Sequence, residues 1–174
     1  MLKTVKDACR IHPSTLDYQV VGGVESLAQV IDATDGGKEF FDKSYMTVGM
    51  EELLREGLLR LSGKTEQHLF ELAQAMGGGK THLMSALGLL AKHPDQRAGV
   101  IPPDVLERLD GKAARVVVFD GRDSPEHYLW GEIAKQLGEE EAMRPFWQNG
   151  PKAPGKEHWK EIIGDRPTLI LALS

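Results

Sequence analysis

Three successive glycines followed by lysine and threonine, Gly77 Gly78 Gly79 Lys80 Thr81, stand where a strand-length apolar run gives way to a helical pattern. Ahead of them, His68 Leu69 Phe70 Glu71 Leu72 Ala73 has the length of a strand, and behind them Leu83, Ala86, Leu87 and Leu90 recur on one helical face. A strand, a glycine turn and a helix in immediate succession form the start of a βαβ unit. The expected fold class is therefore α/β, with a mainly parallel sheet and flanking helices.

The phosphate-binding loop pattern is Gly, four residues, Gly, Lys, then Ser or Thr. Gly79 Lys80 Thr81 matches its second half, whereas Gln74 occupies the position of the first glycine. Glycines let successive N–H groups turn inward around an anion without Cβ clashes, and a helix start adds its dipole to the attraction. In such a loop the lysine reaches the β- and γ-phosphates and the Thr81 hydroxyl ligates Mg2+. The competing reading is a plain strand-to-helix turn. Against it, a lysine in the first turn opposes the helix dipole unless an anion is bound there. Gln74 and Met76 are further candidates for contact with a nucleotide.

The rest of the chain supplies the frame. Met50, Leu53, Leu54, Leu58 and Leu61 recur at helical spacing, with Thr47 as cap and Gly63 after the end. Residues 105–109 suggest a short helix closed by Asp110 Gly111. Residues 116–119 are apolar in succession, as in a strand buried on both faces, and residues 169–173 repeat that signature. Between these two strands, Ser124 and Pro125 suggest the cap and first residue of a helix with Leu129, Trp130, Ile133, Ala134 and Leu137 inward, stopped by Gly138. Residues 156–163 suggest another, ended by Gly164. Tyr18 to Val21 suggests a short strand in a weakly patterned first 45 residues, which read as an arm or cover.

Composition narrows the class. Apolar residues make up 41% and charged residues 27% of 174, ordinary for a globular chain, and the net charge of -5 opposes a globally basic nucleic-acid footprint. Cys9 is the single cysteine, so no internal disulfide forms and a reducing, cytoplasmic setting is expected. No run approaches the roughly 20 apolar residues of a membrane helix, and no export signal opens the chain. His12, His68, His82, His93, His127 and His158 lack paired metal spacing. Trp130, Trp147 and Trp159 read as core or loop anchors, and Glu139 Glu140 Glu141 as a solvated helix end.

Four segments carry a family likeness: Glu51 Glu52 Leu53 Leu54 Arg55 Glu56; Gly77 Gly78 Gly79 Lys80 Thr81 His82; Leu129 Trp130 Gly131 Glu132 Ile133 Ala134; and Arg166 Pro167 Thr168 Leu169 Ile170 Leu171. Together they resemble the N-terminal part of large prokaryotic AAA+-like P-loop ATPases, the group known as domain of unknown function 499, whose members often sit in phage-defence islands. The resemblance implies that residues 46–174 are the N-terminal portion of a P-loop NTPase domain behind the 1–45 arm. It also implies that Gly77, Gly78, Gly79, Lys80, Thr81 and His82 form the Walker A site for ATP, with Thr81 on Mg2+.

By the same resemblance, the strand at 169–171 continues into an acidic Walker B pair, where Ala172, Leu173 and Ser174 stand. The core is thus expected to be incomplete at its C-terminus, and a sensor strand that belongs between the Walker A and Walker B strands would follow residue 174. Asp120, after four apolar residues, is a weaker Walker B candidate, since Asp120 Gly121 also makes an ordinary strand-ending turn. The implied function is ATP binding within an ATPase of a DNA-directed defence system. Its partners would be the downstream remainder of a longer protein and DNA-associated defence proteins, with no membrane partner and with room for an oligomer. A non-catalytic P-loop-shaped interaction domain and a small P-loop kinase are the alternatives.

Overall fold

The computed structural model describes residues 26–73, 77, 79–121, 127–148 and 150–173. Ser26 opens the first described helix, α1 (Leu27–Ile31), through a capping box: Gln29 N–H donates to the Ser26 hydroxyl and Ser26 N–H to the Gln29 side chain. Asp35 then closes a turn whose Gly36 and Gly37 both take positive φ, and α2 (Lys38–Lys43) follows. Thr47 caps α3 (Val48–Leu61), accepting from Met50 N–H. At the other end of α3, Gly63 at φ 68 lets Lys64 N–H reach back to Leu59 O and Gly63 N–H to Arg60 O, a Schellman closure.

The helix α4 (Lys80–Lys92) departs from its expected one-sided pattern: every residue from Met84 to Ala91 is buried. Three layers meet on it. α3 packs Met50, Leu54 and Leu58 against Ala86, Leu87 and Leu90, with Ile101 and Val105 filling the same core. This approach is close because a Cβ on Gly57 would stand 2.7 Å from Leu87 Cδ1. α1 supplies Leu27 and Ile31 against Met84 and Leu171, on the sheet side. Each such side chain contributes about 1.5–3 kcal/mol by leaving water.

After a 3-10 turn at Pro94–Gly99 and the short α5 (Pro103–Leu106) comes β1 (Arg115–Asp120). It pairs in parallel with β2 (Thr168–Leu173), Val118 opposite Leu171. Between them lie α6 (Tyr128–Leu137), α7 (Glu140–Met143), a 3-10 turn at Arg144–Phe146, and α8 (Lys156–Ile163). Ala134, Met143, Phe146 and Ile162 form a satellite core there, flanked by Trp130, Trp147 and Trp159. α6 also reaches the outer edge of β1: Val118 N–H donates to Gln136 Oε1 at 3.0 Å, and Gln136 Nε2 donates to Val118 O at 2.7 Å.

Several expectations need correction. Residues 69–73 form no strand, and among the described residues β1 and β2 alone make a ladder. A strand is held by a neighbour's N–H and C=O groups, and among the described residues β2 pairs only with β1, so the 69–73 segment has no ladder partner there. Phe70 and Leu72 still lie against the core, while Leu69 is 77% exposed. The two strands are also less enclosed than a double-covered sheet, with Ile170 at 39% exposure. α4 lies on both strands, whereas α6 lies mainly against β1. The described part of α6 begins at Tyr128, and Leu129 on it is 41% exposed rather than inward. Ser124, Pro125 and the proposed strand at Tyr18 to Val21 lie outside the described residues.

Candidate nucleotide loop

Helix direction fixes where the glycine loop falls. Ala114 N–H donates to Ala91 O at 2.8 Å, and a Cβ on Gly88 would stand 3.0 Å from Leu171 Cδ1. The end of α4 is thus level with the start of β1, and its middle lies over the Val118–Leu171 pair, so α4 runs antiparallel to both strands. From Gly88 back to Lys80 the axis covers about 12 Å. From Val118 to Asp120 the strand advances only about 7 Å. Lys80 therefore stands at the carboxyl ends of β1 and β2, the side of an open α/β sheet where ligands bind.

The loop itself is built from backbone. Gly79, at φ 80, is the N-cap of α4, and its carbonyl accepts the first helical bond from Leu83 N–H at 3.0 Å. Gly77 shares the same left-handed φ of 80, a conformation costly to any residue with a Cβ. A Cβ on either glycine would meet no described heavy atom within 4 Å. The first turn of α4 carries no acidic residue, and a glycine cap brings no side-chain oxygen to the N–H groups there. These features together suit an anion: N–H groups, an open approach and the positive end of a 13-residue helix.

Among the expected site residues, Lys80 and Thr81 are half-buried in that first turn, and Gly77, Gly79 and His82 are exposed. Gly78, Gln74 and Met76 lie outside the described residues. The His82 ring stacks on Phe40, centroids 4.4 Å apart at 29°, and its Nε2 lies 3.0 Å from Ser44 Oγ. Asp120 ends β1 on the same side of the sheet, followed by a Gly121 N–H bond to Leu173 O at 2.8 Å. Ala172 and Leu173, where the family resemblance places the acidic pair, are aliphatic members of β2.

Three other described histidines have partners of their own. His68 Nδ1 lies 3.1 Å from Glu66 O, His127 tilts against Trp147, and His158 meets the edge of Phe146. No group of three His, Cys, Asp or Glu residues among those described could hold a metal ion, and no described helix is long and apolar enough to cross a membrane.

Two features escape sequence reasoning. Phe40 and Ser44 meet His82 from about forty residues away in sequence, a distance at which no local spacing signal exists. Arg97, within the polar run Pro94–Gly99, is 2% exposed and grips the far end of α4. Its Nε donates to Leu90 O at 2.8 Å, and Nη2 donates to Lys112 O at 2.9 Å and Ala91 O at 3.4 Å.

The fold and loop define an α/β protein with a glycine-lysine-threonine turn leading a buried helix at the carboxyl ends of parallel strands. A family model, the DUF499 N-terminal domain, matches residues 19–124, and the chain belongs to that family. The match takes in α1 to α5, the loop and β1. No curated protein and no solved structure matches the chain.

Proposed function

We propose that the loop from Gly77 to Thr81 binds ATP with Mg2+, within an AAA+-like P-loop ATPase of a phage-defence or other DNA-directed system. The observation that carries the binding site is the pair Gly77 and Gly79, both left-handed and open to approach, at the start of a helix that begins at the carboxyl ends of two parallel strands. Lys80 supplies the charge for the β- and γ-phosphates, and the Thr81 hydroxyl is the protein's ligand to magnesium. Bound magnesium would neutralise phosphate charge. The defence setting rests on the motif likeness of the four segments named above.

Binding and turnover separate on this reading. Phosphate binding needs the loop, Lys80 and the helix start, whereas hydrolysis also needs a carboxylate to organise magnesium and water. Ala172 and Leu173 provide none. Residues 1–174 therefore bind ATP weakly and do not turn it over, and the wider ATPase activity belongs to a chain that carries the acidic pair.

Calorimetric titration of the purified chain with ATP and magnesium tests this. Saturable, magnesium-dependent binding is expected, weakened at least about tenfold in Lys80→Ala, which removes a charge-assisted contact worth roughly 1.5–3 kcal/mol. Indifference of the chain to ATP, or equal affinity in Lys80→Ala, would overturn the site and leave a P-loop-shaped interaction domain.

A further inference from the structure

The helix α2 lies along α4 and is fastened at both ends. At its start, Asp35 Oδ1 accepts from Gly37 N–H at 3.0 Å and Oδ2 from Glu39 N–H at 2.8 Å. Gly37 is pressed so closely on α4 that a Cβ would stand 2.6 Å from Leu89 Cδ1. Seven residues toward the loop, about 10 Å along the axis, is His82. There the Phe40 ring stacks on the imidazole, and Ser44 Oγ lies 3.0 Å from its Nε2.

The protons at this second fastening can be assigned. The Ser44 hydroxyl has one hydrogen and donates it to Phe40 O at 2.6 Å. Its oxygen must then accept from His82, so Nε2 carries the proton. The imidazole is held by a directed bond and by a ring face together. Because His82 directly follows Thr81, that hold acts on the turn of α4 whose N–H groups face the loop.

We propose that His82 is a positioning residue for the nucleotide loop: it pins α2 and Ser44 to the first turn of α4, so that docking of α2 and occupation of the loop stabilise one another. The proposal rests on the reading of the loop as a nucleotide site. Coupling of this kind is reciprocal: what α2 contributes to nucleotide affinity, nucleotide returns as protection of α2. His82 is exposed and the buried stretch of α4 begins at Met84, so substitution at 82 leaves the core in place.

The test uses the purified full chain, its His82→Ala, His82→Gln and Ser44→Ala variants, and ATP with magnesium. Amide exchange over residues 38–44 is expected to slow when ATP binds the wild type and to be faster in His82→Ala even without nucleotide. ATP affinity should fall about fivefold in His82→Ala, the worth of a single net hydrogen bond, and less in Ser44→Ala, which keeps the ring stack. His82→Gln, with an amide N–H able to reach Ser44 Oγ, should recover part of the affinity, which a generic loss of packing would not allow. Nitrogen-15 spectra should show the Nε2–H tautomer for His82 in the wild type. Equal ATP affinity in wild type and His82→Ala would overturn the coupling while leaving the loop assignment intact. Failure of the wild type to bind ATP would overturn the loop assignment and the coupling with it, and unchanged 38–44 exchange in nucleotide-free His82→Ala would refute the pin itself.

Discussion

Replacing Arg97 by methionine keeps most of its volume and removes its grip on the end of α4. The side chain is 2% exposed, and burial lowers its pKa from the usual arginine value while Asp110 opposes the shift. An arginine stays charged regardless. Its bonds to Leu90 O and Lys112 O, at 2.8 and 2.9 Å, are well formed, and the 3.4 Å contact with Ala91 O adds little. Hydrogen bonds to a charged group contribute about 1.5–3 kcal/mol each, so the two good ones come to roughly 3–6 kcal/mol. Against this stands the relief of no longer burying a cation whose Nη1 has no hydrogen-bond partner among the described residues. A net loss of about 3 kcal/mol follows. That is roughly a 150-fold fall in the folded-to-unfolded ratio. In urea denaturation followed by circular dichroism the midpoint should drop by about 1.5 M. Arg97→Lys keeps the charge but lacks the planar fork that spans separate carbonyls, so it should recover no more than about half of the loss. A midpoint for Arg97→Met within about 0.5 M of wild type would refute the assignment of Arg97 as the clasp between α4 and residue 112.

Gly37→Ala combines a φ of 87 with a Cβ placed 2.6 Å from Leu89 Cδ1, and strain plus overpacking should cost about 2–4 kcal/mol. Gly49→Ala, where a Cβ meets nothing within 4 Å, is the control and should be neutral or slightly stabilising; equal denaturation midpoints for the two variants would contradict the close approach. Asp35, exposed, has its pKa lowered below 3.8 mainly by the Glu39 N–H and next by the Gly37 N–H. A lowered folded value means its stabilisation is full above the unfolded pKa and is lost as pH falls through the folded one. The melting-temperature gap between wild type and Asp35→Ala should therefore be constant near neutrality and close below pH 3.8, and a gap independent of pH would exclude the carboxylate as its source. Phosphate release by residues 1–174 should not exceed background; steady turnover abolished by Lys80→Ala would point instead to Asp120 as the missing acid.

What was legible in the sequence follows the range of the interactions involved. The helix at Val48–Leu61 is set by local apolar spacing, a threonine cap and a glycine stop, and the structure forms it within two residues of the expected start. Lys156–Ile163 and both strands were readable for the same reason. The placement of Lys80 and Thr81 at a helix start also follows from local sequence, because glycines punctuate the chain there. Residues 69–73 carry a strand-like composition, yet a strand exists only with a partner, and partners are not written locally. Arg97 and the Phe40–His82–Ser44 group were hidden because their meaning comes from atoms brought together by the fold, such as the Lys112 carbonyl 15 residues from Arg97. Ser85 and Gly88 interrupt the apolar count of α4 and so give it a one-sided pattern, yet both are buried.

The side-chain amide of Gln136 on Val118 gives the sheet a valence. A strand approaching the outer side of β1 would need, at Val118, the same N–H and C=O that the glutamine already holds at 3.0 and 2.7 Å, so pairing is blocked at that residue. The outer margin of β2 has no ladder partner among the described residues. A strand added at the β2 margin would meet an unladdered edge, whereas one added at β1 would first have to displace the glutamine. Losing the glutamine clasp would raise the valence to two, the minimum for open-ended stacking of strands into fibres.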